Sequence, residues 1–175
     1  MKVRLSTILT DEKKVIEEVI PFQPEIFEAN GEFFKVLSDT AFELTVKNEG
    51  NKVLWVKAKG EILIEIPCSR CLDAVPTAFT LDIAQRVDMK IPYEERLLDM
   101  DAIHYIDNLD LDFDEMIREE VLTMWPIGVL CKEDCAGICS QCGANHNHTS
   151  CNCDVYEAGS IPATLGDLLK NFKEV

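Results

Sequence analysis

The run Leu54-Trp55-Val56-Lys57-Ala58-Lys59-Gly60-Glu61-Ile62-Leu63-Ile64-Glu65-Ile66 decides the fold. Leu54, Val56, Ala58, Ile62, Ile64 and Ile66 all occupy even positions, while Lys57, Lys59, Glu61 and Glu65 occupy odd ones. Successive side chains of an extended chain point to opposite faces, so a period of two separates an apolar face from a wet one. That is the pattern of a strand in an antiparallel sheet with one face buried. Gly60 interrupts the alternation and reads as a bulge.

Upstream, Phe42, Leu44 and Val46 alternate with Glu43, Thr45 and Lys47, and Glu49-Gly50-Asn51 supplies turn chemistry. Downstream, after a break at 67–76, Phe79, Leu81, Ile83, Val87 and Met89 alternate with Thr80, Asp82, Arg86 and Asp88. Three strands joined in sequence predict a β-meander. Toward the N-terminus the reading divides. Val15, Ile16, Val19 and Ile20 fit a helical stripe behind Asp11 as N-cap, but β-branched residues also suit a strand. Pro21 and Pro24 interrupt the segment on either reading.

Beyond the meander, residues 94–111 are acidic with little periodicity. A helix near 112–125 follows, with Asp112 as N-cap and Glu115 as its capping-box partner. Phe113, Met116, Ile117, Val121 and Met124 form its apolar stripe, which reads as core packing, and Pro126 ends it. Leu165, Leu168, Leu169 and Phe172 predict a short helix within 161–175. The fold class is therefore α+β: an antiparallel β-meander forms a body over 1–125, an amphipathic helix covers it, and a cysteine-rich metal module occupies 126–160.

Formal net charge is -15, from 17 Lys and Arg against 32 Asp and Glu in 175 residues. Affinity for nucleic acid rests mainly on Lys and Arg contacts to phosphate, so no strong direct nucleic-acid binding is expected. Eleven acids between Glu94 and Glu120 face only Arg96 and Arg118. This stretch is either a solvated face or a docking surface for a basic partner. No run approaches the roughly 20 apolar residues of a membrane span. The N-terminal residues lack the apolar run of a signal peptide, so the expected location is the cytoplasm, without membrane association.

Eight cysteines carry the chemistry. In a reducing compartment, clustered cysteine is more often a metal ligand than a disulfide. Six follow the spacing Cys131-x3-Cys135-x3-Cys139-x2-Cys142-x8-Cys151-x-Cys153. Zinc takes four ligands in a tetrahedron, thiolate suits its softness, and a Cys-x2-Cys turn spans two of its positions without strain. Cys139 and Cys142 form such a turn, backed by Gly143, and Cys151 and Cys153 supply a second pair. Structural zinc contributes about 10–16 kcal/mol of apparent binding free energy, which suits a segment with few apolar residues. Cys68 and Cys71 form a separate Cys-x2-Cys. They join Cys131 and Cys135 in a second four-cysteine site, act as a redox dithiol, stand unmetallated in the resting state, or share a different metal arrangement. His146 and His148 lie between ligand pairs and could replace a thiol, whereas His104 reads as a surface residue. No phosphate loop, nucleophile triad or carboxylate-with-base motif supports an enzyme.

Pro67-Cys68-Ser69-Arg70-Cys71-Leu72 after a β-rich half, the capped helix running through Met124-Trp125-Pro126 into Leu130-Cys131-Lys132-Glu133-Asp134-Cys135, and Gly137-Ile138-Cys139-Ser140-Gln141-Cys142-Gly143-Ala144-Asn145 with Cys151-Asn152-Cys153 together resemble the cysteine-rich branch of the YceD family. That resemblance implies a non-catalytic factor supporting large-subunit ribosomal RNA accumulation, processing or ribosome assembly. The acidic composition adds that its partners are ribosomal proteins or pre-ribosomal particles rather than naked RNA. The rival reading is a metal- or redox-sensing protein that uses the Cys68/Cys71 dithiol.

Overall fold

The computed structural model describes residues 1–11, 14–38, 40–96, 98, 103–107 and 109–153. The expected helix within 161–175 lies outside these. In chain order the elements are β1 (Lys2–Arg4), α1 (Ser6–Thr10), β2 (Val15–Phe22), β3 (Ile26–Ala29), β4 (Glu32–Val36), β5 (Thr40–Asn48), β6 (Val53–Pro67), β7 (Ala74–Asp88), α2 (Tyr93–Arg96), β8 (Ile106–Asp107), β9 (Asp110–Asp112) and α3 (Phe113–Thr123). Among the described residues, no helix is long and apolar enough to cross a membrane.

The alternation around Ile62 becomes the spine of a six-stranded antiparallel sheet. β6 pairs with β7 along its whole length, from Val53↔Asp88 to Pro67↔Ala74. On its other edge β6 pairs first with β5 and then with β4, which lie end to end. The meander β5-β6-β7 is present as the parity predicts. Its inward residues, including Phe42, Leu44, Val56, Ile62, Ile64, Leu81 and Ile83, are buried.

Gly60 is not a bulge, because the β6/β7 register passes through it as Gly60↔Leu81 without a slip. It lies on the inward face, where an added Cβ would overlap three carbons of the Phe42 ring. The missing side chain makes room for an aromatic on the neighbouring strand.

Residues 15–22 form a strand, not a helix. β2 pairs with β5 from Val15↔Lys47 to Phe22↔Thr40, which buries Ile20 and Phe22 and leaves Val15 and Val19 exposed. Pro21 does not end this strand. β2 lies at the sheet edge, where a missing ladder donor is tolerated. β3 and β4 meet through Asn30 and Gly31, both at positive φ (53° and 81°), the two-residue turn that Asn-Gly favours.

The described part of the acidic stretch holds two short strands that its weak periodicity does not announce. β8 and β9 form a hairpin, and β9 pairs with β1, so that Val3 lies opposite Leu111. α3 then packs its buried Phe113, Met116, Ile117 and Val121 against the sheet. Phe113, Phe22 and Phe42 meet edge to face, with ring centroids 5.8 to 6.5 Å apart. Asp112 caps the helix through its Oδ1, which accepts from the Glu115 N–H at 3.4 Å. The return arm of a capping box is replaced: the Asp112 N–H donates to the Tyr105 carbonyl at 2.7 Å, and the Glu115 carboxylate pairs with Arg118. Met124, expected on the apolar stripe, is exposed.

Candidate metal centres

The long β6/β7 hairpin carries its connecting turn, Cys68 to Asp73, to one end of the sheet. The turn closes on itself. Cys68 N–H donates to the Asp73 carbonyl (2.8 Å), and Leu72 N–H donates to the Cys68 carbonyl (3.0 Å). Leu72 takes the left-handed conformation at φ 64°.

A second segment is steered to the same place by Trp125. Its indole stacks on Phe27 (5.7 Å) and Phe79 (5.6 Å) and tilts against Phe34 (4.9 Å). The chain leaving this anchor is bonded to the hairpin turn through Ser69 and Val129. Cys131 and Cys135 thus arrive beside Cys68 and Cys71. The four sulfurs lie within 4.8 Å of one another, with Cys68 to Cys135 at 3.8 Å and Cys71 to Cys131 at 3.5 Å. Tetrahedral thiolates about 2.3 Å from zinc would stand about 3.8 Å apart.

The second tetrad is built within one segment. Cys139 N–H donates to the Ala144 carbonyl (2.8 Å), and Gly143 N–H donates to the Cys139 carbonyl (2.9 Å). Gly143 has φ 73°, and Ile138 bridges to Asn145. This knuckle presents Cys139 and Cys142 to Cys151 and Cys153, whose sulfurs complete a group within 4.8 Å. In the first tetrad Cys68, Cys71 and Cys135 are buried; in the second no cysteine is fully buried.

Local hydrogen bonds divide the thiols. Burial would raise Cys68, but the N–H groups of Arg70, Cys131 and Cys71 outweigh it and bring the thiol down to about 6. The Asn147 side chain leads the lowering of Cys135. Burial raises Cys71 and Cys131, with neighbouring thiols adding to the effect. In the second tetrad the N–H groups of Cys142 and Gln141 bring Cys139 down to about 6. Contact with Cys142 and then burial push Cys153 up to about 12. The Cys153 N–H acts to lower Cys151, but contact with Cys139 and burial outweigh it and leave that thiol raised. Sulfurs this crowded cannot all be anionic without a cation among them. Each tetrad could hold one metal ion, and four soft donors at this spacing fit a tetrahedral one.

All eight cysteines singled out in the sequence fall into these two groups, with Cys68 and Cys71 beside Cys131 and Cys135. His146 and His148 are not among the grouped donors. His148 Nε2 lies 3.0 Å from Asp73 Oδ2, and His146 N–H donates to the Gly137 carbonyl. His104 is exposed at an acidic cavity of about 230 Å³ lined by Asp107, Asp110, Asp112 and Glu115. Sequence reasoning missed the groups around the sulfurs. Arg70 and Cys131 N–H donate to Cys68 Sγ (3.5 and 3.4 Å), Asn147 Nδ2 donates to Cys135 Sγ (3.3 Å), and Asp73 accepts from Asn145 (2.9 Å). The available signal is the polar run Asn145-His146-Asn147-His148 between two cysteine pairs, whose amide side chains can donate to sulfur.

Searches of curated proteins and of solved structures each found no match. A comparison with protein families matches residues 56–169, from within β6 through both tetrads, to the family described as large ribosomal RNA subunit accumulation protein YceD. With well over half of the chain matched, and with the cysteine turns inside the matched span, the protein belongs to the YceD family.

Proposed function

We propose that this protein is a non-catalytic cytoplasmic factor that holds two structural zinc ions and supports accumulation of large-subunit ribosomal RNA through contacts with ribosomal proteins or pre-ribosomal particles. The family match over residues 56–169 carries the reading. Zinc is favoured because four thiolates suit a borderline-soft ion with no geometric demand beyond the tetrahedron. Four sulfurs also fill that tetrahedron and leave no position for a reactive water, which supports a structural role. The net charge of -15 favours basic proteins over RNA phosphates as the direct contact.

The rival redox reading needs an accessible dithiol, because buried thiols are inert. Cys68 is fully buried and Cys71 nearly so. Alkylation of the metal-loaded protein discriminates the two readings. Fast labelling of Cys68 and Cys71 alone would replace the structural reading with the redox one.

The functional test is depletion of the protein in its own cells, with quantification of large- and small-subunit ribosomal RNA. Large-subunit RNA should fall relative to small-subunit RNA. Wild-type protein should restore it, and a Cys68→Ser/Cys71→Ser protein should not. Affinity capture should recover ribosomal proteins, and this capture should weaken when Asp107, Glu119 and Glu120 are neutralised together. Unchanged RNA levels on depletion would remove the proposed function. Submicromolar binding to naked ribosomal RNA near physiological salt, insensitive to those substitutions, would remove the protein-mediated route.

A further inference from the structure

The two tetrads meet through one short loop. Residues 143–150 connect Cys142 to Cys151, which both belong to the second tetrad. The same loop sends its side chains to the first. Asn147 Nδ2 donates to Cys135 Sγ at 3.3 Å, and Asn145 Nδ2 donates to Asp73 Oδ1 at 2.9 Å. Asp73 follows Cys71 by two residues and closes the hairpin turn that holds Cys68. His148 Nε2 lies 3.0 Å from the other Asp73 oxygen.

The Asn147 amide is fixed at both ends. Its Oδ1 accepts from the Ala136 N–H at 3.0 Å, and its Nδ2 also reaches Asn145 Oδ1 at 3.0 Å. Ala136 is the neighbour of the ligand Cys135. The loop therefore touches the first centre at the Cys135 sulfur, at the residue next to it and at the turn carrying Cys68 and Cys71.

Hydrogen bonds hold this shape: the His148 and Thr149 N–H groups donate to the Asn145 carbonyl, and His146 N–H donates to the Gly137 carbonyl. Gly143-Ala144-Asn145-His146-Asn147-His148-Thr149-Ser150 contains almost no apolar surface to bury against the cost of ordering it. Its ends, Cys142 and Cys151, add an anchor on each side when the second tetrad holds a metal ion. Groups that hydrogen-bond a ligand orient it and tune its basicity, and their loss weakens metal binding.

We propose that the two centres bind zinc cooperatively, with Asn147 as the positioning residue: loading the second tetrad pins the 143–150 loop, which delivers Asn147 to Cys135 and strengthens the first. This rests on the zinc reading given above. Linkage makes the coupling mutual, so loading the first tetrad strengthens the second by the same factor.

The test uses the full chain loaded with zinc and titrated with a chelator under native mass spectrometry. Wild-type protein should pass from two zincs to none with the one-zinc species scarce. In a Cys139→Ser/Cys142→Ser protein, the zinc left in the first centre should be held at least about tenfold more weakly than in wild type. Asn147→Ala should weaken it similarly. The decisive measurement is the combination. If Asn147 acts only when the second metal pins the loop, adding Asn147→Ala to the Cys139→Ser/Cys142→Ser protein should change first-centre affinity no further. Effects that multiply in the triple variant, or a first centre of wild-type affinity in the Cys139→Ser/Cys142→Ser protein, would overturn the coupling. Hydrogen exchange in β6 and β7 identifies a variant that has simply unfolded, and in that case Asn147→Ala alone decides. A wild-type chain that takes up no zinc overturns the zinc reading itself; one that takes up two zincs independently overturns only the coupling.

Discussion

Ser69 and Val129 are bonded twice. The Ser69 N–H donates to the Val129 carbonyl at 2.8 Å, and the Val129 N–H donates to Ser69 Oγ at 3.2 Å. This pair fastens the segment after α3 to the tip of the β6/β7 hairpin, 60 residues away in sequence. A Cβ at Gly128 would come within 2.9 Å of the same Ser69 oxygen. Ser69→Ala should cost about 1 kcal/mol in urea unfolding, and Gly128→Ala should be comparably harmful because it displaces the hydroxyl. On the Ser69→Ala background the Gly128→Ala cost should largely vanish, since both changes break one contact. Additive costs would show that the two residues act separately.

The fit of Gly60 under Phe42 gives a second expectation. Gly60→Ala should destabilise the protein by about 1–3 kcal/mol through overpacking, despite alanine's lower conformational cost. Phe42→Leu alone should also destabilise it by removing buried aromatic surface. On that background Gly60→Ala should cost much less, because the ring that it strikes is gone. Chemical denaturation of the four proteins measures the cycle.

Leu72 holds the position in its knuckle that Gly143 holds in the other. Both follow the second cysteine of a Cys-Ser-x-Cys turn, at φ 64° and 73°. A left-handed conformation costs an ordinary L-residue roughly 1–2 kcal/mol, and glycine nothing comparable. Leu72 is 65% exposed, so its side chain recovers little by burial. Leu72→Gly should stabilise the protein by about 0.5–1 kcal/mol, the relief less glycine's extra freedom in the unfolded chain. Thermal denaturation should show a midpoint higher by about 1–4 °C. A lower midpoint would mean that the leucine makes a stabilising contact at this turn.

Metal uptake should release protons. Cys68, Cys135 and Cys139 have lowered pKa values, so their anionic forms are favoured before metal arrives. Cys71 and Cys131 in one tetrad, and Cys151 and Cys153 in the other, are raised and keep their protons until a cation displaces them. Calorimetric titration with zinc near neutral pH, in buffers of different ionisation enthalpy, should therefore give two or more protons released per ion. Without metal, the same shifts make the stability of the fold depend on pH. Cys68 and Cys139, lowered to about 6 from 9.0, add stability above pH 9 that is lost as pH falls toward 6. The raised thiols act oppositely, adding stability that is present below their ordinary values and lost at high pH. Zinc affinity should fall steadily as pH drops from 8 to 6, and an affinity independent of pH would exclude thiolate ligation.

Elements whose signal is local are legible in the residues alone. Even positions in 54–66 and odd ones in 79–87 mark the buried face, because the strand period is two wherever one side meets water. Asp112, the stripe from Phe113 to Val121, and Pro126 bracket α3. The cysteine spacings mark the candidate metal donors, since a turn of two intervening residues sets the sulfur separation in the Cys68/Cys71 and Cys139/Cys142 pairs. Asn30-Gly31 is equally local, and it specifies the β3/β4 turn. Only the tertiary structure decided the rest. Val15, Ile16, Val19 and Ile20 satisfy two periods at once, and pairing with β5 selects the strand. Gly60 reads as a bulge until Phe42 is seen to fill its space. β9 is too short to announce itself and gains its order from β1, more than 100 residues away. The division of eight thiols into two tetrads also depends on distance in space. Trp125 and the Ser69–Val129 bonds bring residues 131 and 135 to the tip of the hairpin, and no spacing within either segment encodes that approach.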